Sequence, residues 1–150
     1  MLKILFAMKL HVVAANIALA CLLLVPFVAK SGKERLTKLF AVLAFVFMTV
    51  TAIVGGYWYV TYYPGIKKLI VAGNYGWTHK FFMEVKEHLF FQIYALVVTV
   101  ALLSFSDIGT SGGKDLLIKV ALSAVVLILL VNIFGHIVNI GAEIAITSGG

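Results

Sequence analysis

The sequence predicts an all-α integral-membrane protein: an antiparallel up-and-down four-helix bundle, with residues 1–150 forming a single domain. Three observations predict it. Hydrophobic residues make up 63% of the chain and charged residues 12%, and the mean hydropathy of +1.10 lies far above the range of soluble globular domains. Four runs contain no Asp, Glu, Lys or Arg: Leu10–Ala29, Leu39–Ile66, His88–Ser106 and Val120–Ala142. Each reaches the roughly 18 to 20 residues that a helix rising about 1.5 Å per residue needs to cross ~30 Å of hydrocarbon. The connections between the runs are short, which turns each helix back along its predecessor. A membrane barrel is excluded, because runs this continuous lack the period-two alternation of a lipid-facing strand.

Helix one, about 4–29, outlasts the apolar region of a signal peptide, and no small-residue cleavage site precedes "KSGKERLTK", so it is expected to remain in the protein. Cys21, the only cysteine, lies mid-span as a small packing residue. A lone cysteine excludes an internal disulfide and a thiolate metal cluster. Helix two, about 37–63, carries Gly55 and Gly56. Their missing side chains suit either close helix packing or space for a flat cofactor. Helices three and four span about 79–106 and 115–145, joined by a Gly- and Ser-rich turn in "SDIGTSGGKD". The N-terminus, the linker "YYPGIKKLIVAGNYGWTHK" and the C-terminal "EIAITSGG" then share one side, called side A. Tyr57, Trp58, Tyr59, Tyr62, Tyr63 and Trp77 gather there and read as an aromatic belt at headgroup depth.

The net charge of +6 is spread over the span ends, a pattern that fits lipid headgroups and excludes a nucleic-acid partner. Six basic residues flank side A (Lys3, Lys9, Lys67, Lys68, Lys80, Lys86) and six flank the opposite side B (Lys30, Lys33, Arg35, Lys38, Lys114, Lys119). The positive-inside rule is balanced by this count. The tight cluster between Lys30 and Lys38 tips the expectation towards side B facing the cytoplasm, in the cytoplasmic membrane of a prokaryote.

The titratable residues are unevenly placed. "YGWTHKFFMEVKEHLFFQ", residues 75–92, holds two histidines, two glutamates and two lysines at the mouth of helix three. His11, His88 and His136, on three different helices, fall within about 10 Å of side A at 1.5 Å per residue. Asn132, His136, Asn139 and Glu143 form one stripe on helix four, and Glu84, His88 and Gln92 form another on helix three. Polar side chains are costly against lipid, so both stripes are expected to face the bundle interior. Imidazoles from separate helices, each with its second ring nitrogen near an acceptor, suit the two axial positions of a b-type haem. Asn132 and Asn139 flank His136, and Glu84 flanks His88. Helices one and three are diagonal in such a bundle, which favours His11 with His88; either of them with His136 is the close alternative. A directly bound iron, copper or zinc ion on His11, His88, His136 and Glu84 or Glu87 is a second chemistry. Plain interhelical hydrogen bonding is a third, and His79, beside Trp77 and Lys80, reads as an interfacial residue.

Three further stretches carry a family resemblance: "KLHVVAANIALACLLLVPFVA" in helix one, "KERLTKLFAVLAFVFMTVTAIVGGYW" in helix two, and "YGWTHKFF" opening helix three. Together they resemble the membrane superfamily that includes copper-resistance protein D domains and the HemJ-type protoporphyrinogen oxidases. The resemblance covers roughly residues 8–95. It implies a four-helix membrane protein binding haem b, with His11 as a ligand and Lys80 near the haem or a substrate.

These readings lead to the expectation of a small b-type cytochrome subunit with one haem b, passing electrons between the quinone pool and a partner redox protein on side A. His79, Glu84 and Glu87, with Lys80, would line a quinone or proton-entry site, since a half-buried carboxylate beside an imidazole can have its proton affinity tuned towards neutrality. A HemJ-like oxidase acting on a porphyrinogen, and a non-haem metal-binding or purely structural membrane subunit, are the alternatives.

Overall fold

The computed structural model describes residues 2–106 and 111–147. Over these residues the chain forms α1 (Leu2–Lys30), α2 (Glu34–Thr61), α3 (Tyr63–Ala72), a π-helical segment (Thr78–Met83) that runs directly into α4 (Glu84–Phe105), and α5 (Ser111–Thr147). α1, α2, the π segment with α4, and α5 are long and apolar enough to cross a membrane. Their ends depart from the expected ones by a few residues. The turn expected in "SDIGTSGGKD" falls partly on residues 107–110, and the end of "EIAITSGG" on 148–150; both lie outside the described residues, as does the Lys3 side chain.

The α1–α2 connection is a Schellman closure. Lys33 N–H donates to Val28 O and Gly32 N–H to Ala29 O, both at 3.1 Å, with Gly32 at φ +70°. That backbone conformation suits glycine and strains any residue with a Cβ. So tight a turn leaves α2 antiparallel to α1. α1 and α4 each pack against both α2 and α5, so α1 and α4 occupy one diagonal of the bundle and α2 and α5 the other. The main core is built from small and branched side chains, with Ala18, Leu22, Ala41, Ala44, Val97, Leu117 and Ala121 all at 0% exposure. Such residues let helix backbones approach closely, which is how apolar helices associate when their surroundings are equally apolar.

The linker after α2 contains a helix that the sequence reading had as a connection. Pro64 sits in the first turn of α3, where its missing N–H leaves no bond unmade. Tyr63 and Ile70, seven residues apart, are buried, while Lys67 and Lys68 are exposed, so α3 is amphipathic. Its apolar face joins Met83, Val138 and Ala145 in a second core cluster at side A. α5, with 37 residues, is about 55 Å long. Its last turns therefore extend past a bilayer's hydrocarbon, and they pack on α3 and the π segment.

Both polar stripes face outward, correcting the expectation that they line the interior: Glu84, His88 and Gln92 on α4, and Asn132, His136, Asn139 and Glu143 on α5, are all exposed. The cause is the pattern of small and apolar residues. From the end of the π segment along α4, Met83, Ile93, Val97, Val100 and Ser104 are buried, with Lys86 and Phe90 completing the same seam at alternating spacings of three and four. At about 100° per residue, the Glu84–His88–Gln92 stripe points about 170° away from that seam. On α5, Val131, Val138, Gly141 and Ala145 are buried, and the Asn132–Glu143 stripe lies about 145° round the helix from them. Close packing of the longer seam decides the rotation of each helix.

Candidate functional site at the side-A mouth

His79 is buried at this end of the bundle, with 3% exposure. The π segment carries it, widened by one residue per turn and pressed against α5: a Cβ on Gly141 would collide with Thr78 Oγ1. Such segments are frequent at functional sites. The Tyr63 hydroxyl lies 2.9 Å from His79 Nδ1, and the Glu84 carboxylate lies 3.9 Å from His79 Nε2. Burial, followed by the negative charges of neighbouring groups, pushes the Tyr63 hydroxyl well above the ordinary tyrosine value. Tyr63 therefore keeps its proton, and its hydroxyl donates to or accepts from Nδ1 according to the ring's tautomer. Donation to Nδ1 leaves the ring proton on Nε2, facing the carboxylate. His79 is thus enclosed by protein at this end: the tyrosine it meets comes from α3, a helix in what the sequence presents as a linker.

An aromatic wall surrounds this group. Tyr59 stacks on Tyr63 with ring centroids 5.1 Å apart and planes 22° apart, and Trp58 meets Tyr63 at 5.8 Å. The belt reading suits Tyr57 and Trp77, which are 58% and 53% exposed, but not Tyr63, at 3%. The Tyr59 hydroxyl interacts with the Glu87 carboxylate. Glu87 Oε1 and Trp58 Nε1 are both buried, and neither has a hydrogen-bond partner among the described residues. An acceptor and a donor, from facing helices α4 and α2, are thus left unsatisfied beside Tyr59 and Tyr63. Buried polar groups rarely lack partners unless a ligand or water supplies them.

Deeper in, Lys86 turns into the bundle instead of flanking side A. Its Nζ lies 3.1 Å from where a Gly135 Cβ would stand, so α5 accommodates the ammonium by having no side chain there. Lys86 acts electrostatically on His11 and is itself acted on by Glu87. The sequence reading counted Lys86 as a flanking charge; its place in the three-and-four seam of α4 was the available signal.

His11 donates from Nδ1 to the main-chain oxygen of Thr51 at 3.0 Å. Gly55 provides the space: a Cβ there would lie 2.5 Å from His11 Nδ1, whereas one on Gly56 would meet nothing within 4 Å. The first glycine serves close packing by a ring, and the second is free of contact. With Nδ1 protonated, the neutral His11 ring carries its lone pair on Nε2. A cavity of about 140 Å³ adjoins the ring, lined by His11, Val12, Ala15, Asn16 and Asn132.

The remaining expected residues are not brought to that cavity. His88 is exposed, and its Nδ1 donates 2.7 Å to the main-chain oxygen of Glu84, one turn back on its own helix. The acceptor expected from Glu84 is thus its carbonyl and not its carboxylate. His136 and Asn139 are exposed on α5, and Lys80 is exposed on the π segment. A haem b with two axial imidazoles needs two rings facing one slot. Here one half-buried imidazole adjoins a cavity of about 140 Å³, the diagonal partner His88 points outward, and His136 is exposed. In this arrangement His11 and His88 do not share a slot across the core, and the cavity beside His11 is lined by no second imidazole. Among the described residues no group of three or more His, Cys, Asp or Glu side chains is poised to hold a metal ion. The side-A mouth does assemble His79, Glu84 and Glu87, joined by Trp58, Tyr59 and Tyr63. No protein-family model, curated protein or solved structure matches the chain.

Proposed function

We propose that this chain is an integral-membrane subunit of a quinone-linked redox system, and that its own chemistry is to bind a quinol at the side-A mouth and accept its protons. The observation that carries the reading is the unsatisfied pair Trp58 Nε1 and Glu87 Oε1. A quinol hydroxyl complements both, because it donates to the carboxylate oxygen and accepts from the indole N–H. The aromatic wall of Tyr59 and Tyr63 suits a flat ring. Oxidation of a quinol to a quinone releases two electrons and two protons. Glu87 takes the proton it already accepts in a hydrogen bond, and the Glu84–His79–Tyr63 group offers a second acceptor at the bilayer surface. The electrons leave to a partner redox protein on side A.

Lipid surrounds the four long helices in this reading, and their length and composition support that placement. A soluble quinone analogue titrated into the detergent-solubilised protein should quench tryptophan fluorescence saturably. Glu87→Gln and Trp58→Phe should each raise the dissociation constant, the first about tenfold or more, the scale of a hydrogen bond to a charged group. Unchanged affinity in both variants, with helicity retained, would rule the site out.

A further inference from the structure

The outward stripe on α5 lies where a membrane protein should not leave it bare. The charge-free run Val120–Ala142 is centred on Val131. At 1.5 Å per residue, Asn132, His136 and Asn139 stand about 1.5, 7.5 and 12 Å from that centre, within the ~15 Å half-thickness of the hydrocarbon. All three are exposed, and none of their side chains has a hydrogen-bond partner among the described residues. Polar side chains at such depth almost always face protein, not lipid.

Exposed residues continue the line on both sides. Leu129 (49% exposed) precedes it and Ile146 (57%) follows it, so that Leu129, Asn132, His136, Asn139, Glu143 and Ile146 repeat at spacings of 3, 4, 3, 4 and 3. Alternation of threes and fours, a seven-residue repeat, is the seam of a left-handed helix pair. Its chemistry is self-complementary. Each carboxamide and each neutral imidazole carries both a donor and an acceptor, so the stripe can satisfy itself when it meets its own image. An isologous contact in a membrane has its two-fold axis along the bilayer normal, which sets the two helices parallel and each seam residue opposite its own copy. Paired asparagines in a seam are the device that fixes register in parallel dimers. Glu143, about 18 Å from the run's centre, falls at headgroup depth, where two facing carboxylates remain solvated.

We propose that the α5 seam is the contact between two copies of this chain, forming a parallel two-fold dimer inside the membrane. The test uses single cysteines in a Cys21→Ala background, oxidised in native membranes. Leu129→Cys and Ile146→Cys bracket the seam without removing its polar groups, and Ile53→Cys on α2 (67% exposed) and Phe91→Cys on α4 (74% exposed) sample other outward faces. The dimer predicts a disulfide-linked band at twice the chain mass for positions 129 and 146, and none for 53 and 91. Mixing the Leu129→Cys and Ile146→Cys chains should give no 129-to-146 bond. Absence of linkage at 129 and 146, equal linkage at all four positions, or linkage only to a different membrane protein would each overturn the proposal. Energy transfer between labelled copies in liposomes gives a second reading: Asn132→Leu with Asn139→Leu should raise the dimer dissociation constant, by roughly 3- to 30-fold per asparagine pair. An unchanged constant would also overturn it.

Discussion

Lys86 and His88 are two residues apart on α4, yet the lysine turns into the bundle and the histidine faces out. Their chemistry alone predicts the reverse, since an ammonium is the costlier group to enclose. Lys86 is tolerated because Gly135 leaves it room and Glu87 supplies an opposing charge. Tyr63 is the counterpart at the bilayer surface, a phenol held neutral by burial. In the unfolded chain it ionises near the ordinary value of 10.0, and in the fold only above that. Its contribution to stability is therefore fully present below pH 10 or so and is lost as pH rises through the higher folded value. Tyr63→Phe should flatten that alkaline loss of stability, read as the melting temperature in detergent between pH 9 and 11, while also removing the hydrogen bond to His79 Nδ1.

Helix rotation is set by seams in which small and apolar residues recur every three or four positions, and two glycines on α2 show how local that control is. Gly55→Ala places a methyl 2.5 Å from His11 Nδ1. The ring must shift off Thr51 O, and the expected loss is about 1–3 kcal/mol of stability, the scale of an overpacked core. Gly56→Ala meets nothing and should be neutral or stabilising by up to about 1 kcal/mol, because alanine holds a helix better than glycine. Thermal unfolding of the two variants side by side checks the contrast, and an equal effect would mean that His11 does not depend on Gly55. At the α1–α2 turn, Gly32→Ala forces a side chain into φ +70° and should cost about 1–2 kcal/mol.

Taken as an assembly, the bundle closes its side-A end with α3, the π segment and the overhang of α5, and it presents its membrane-depth carboxamides and His136 to the outside. On the two proposals above, the quinol would bind within one protomer and the α5 stripe would be satisfied by contact between protomers. The same arrangement bears on haem. His11 is the one imidazole beside the cavity, so the monomeric chain, purified in detergent and reconstituted with haem b, should show no low-spin bis-histidine bands in a reduced-minus-oxidised spectrum. Such bands from a demonstrated monomer would mean that α4 or α5 rotates to bring His88 or His136 inward.

Composition and the four uncharged runs were enough to read the four long apolar helices, their order and the clustering of titratable groups at one end, because hydrocarbon thickness imposes a length and a polarity that single residues cannot evade. The residues 75–92 were also legible as the densest run of titratable groups, and His79 and Glu84 do approach each other there. The sequence left open which way each helix turns. Periodicity marks a polar stripe and an apolar seam equally well, and only the packing of Gly55 on His11, Gly135 on Lys86 and Gly141 on Thr78 selects the face that goes inside. Nor did spacing announce that Tyr63, sixteen residues before His79, would return to it through a helix in the linker. Span length is a property of each segment read alone, whereas rotation and enclosure depend on contacts between segments far apart in the chain, and those exist only once the bundle has formed.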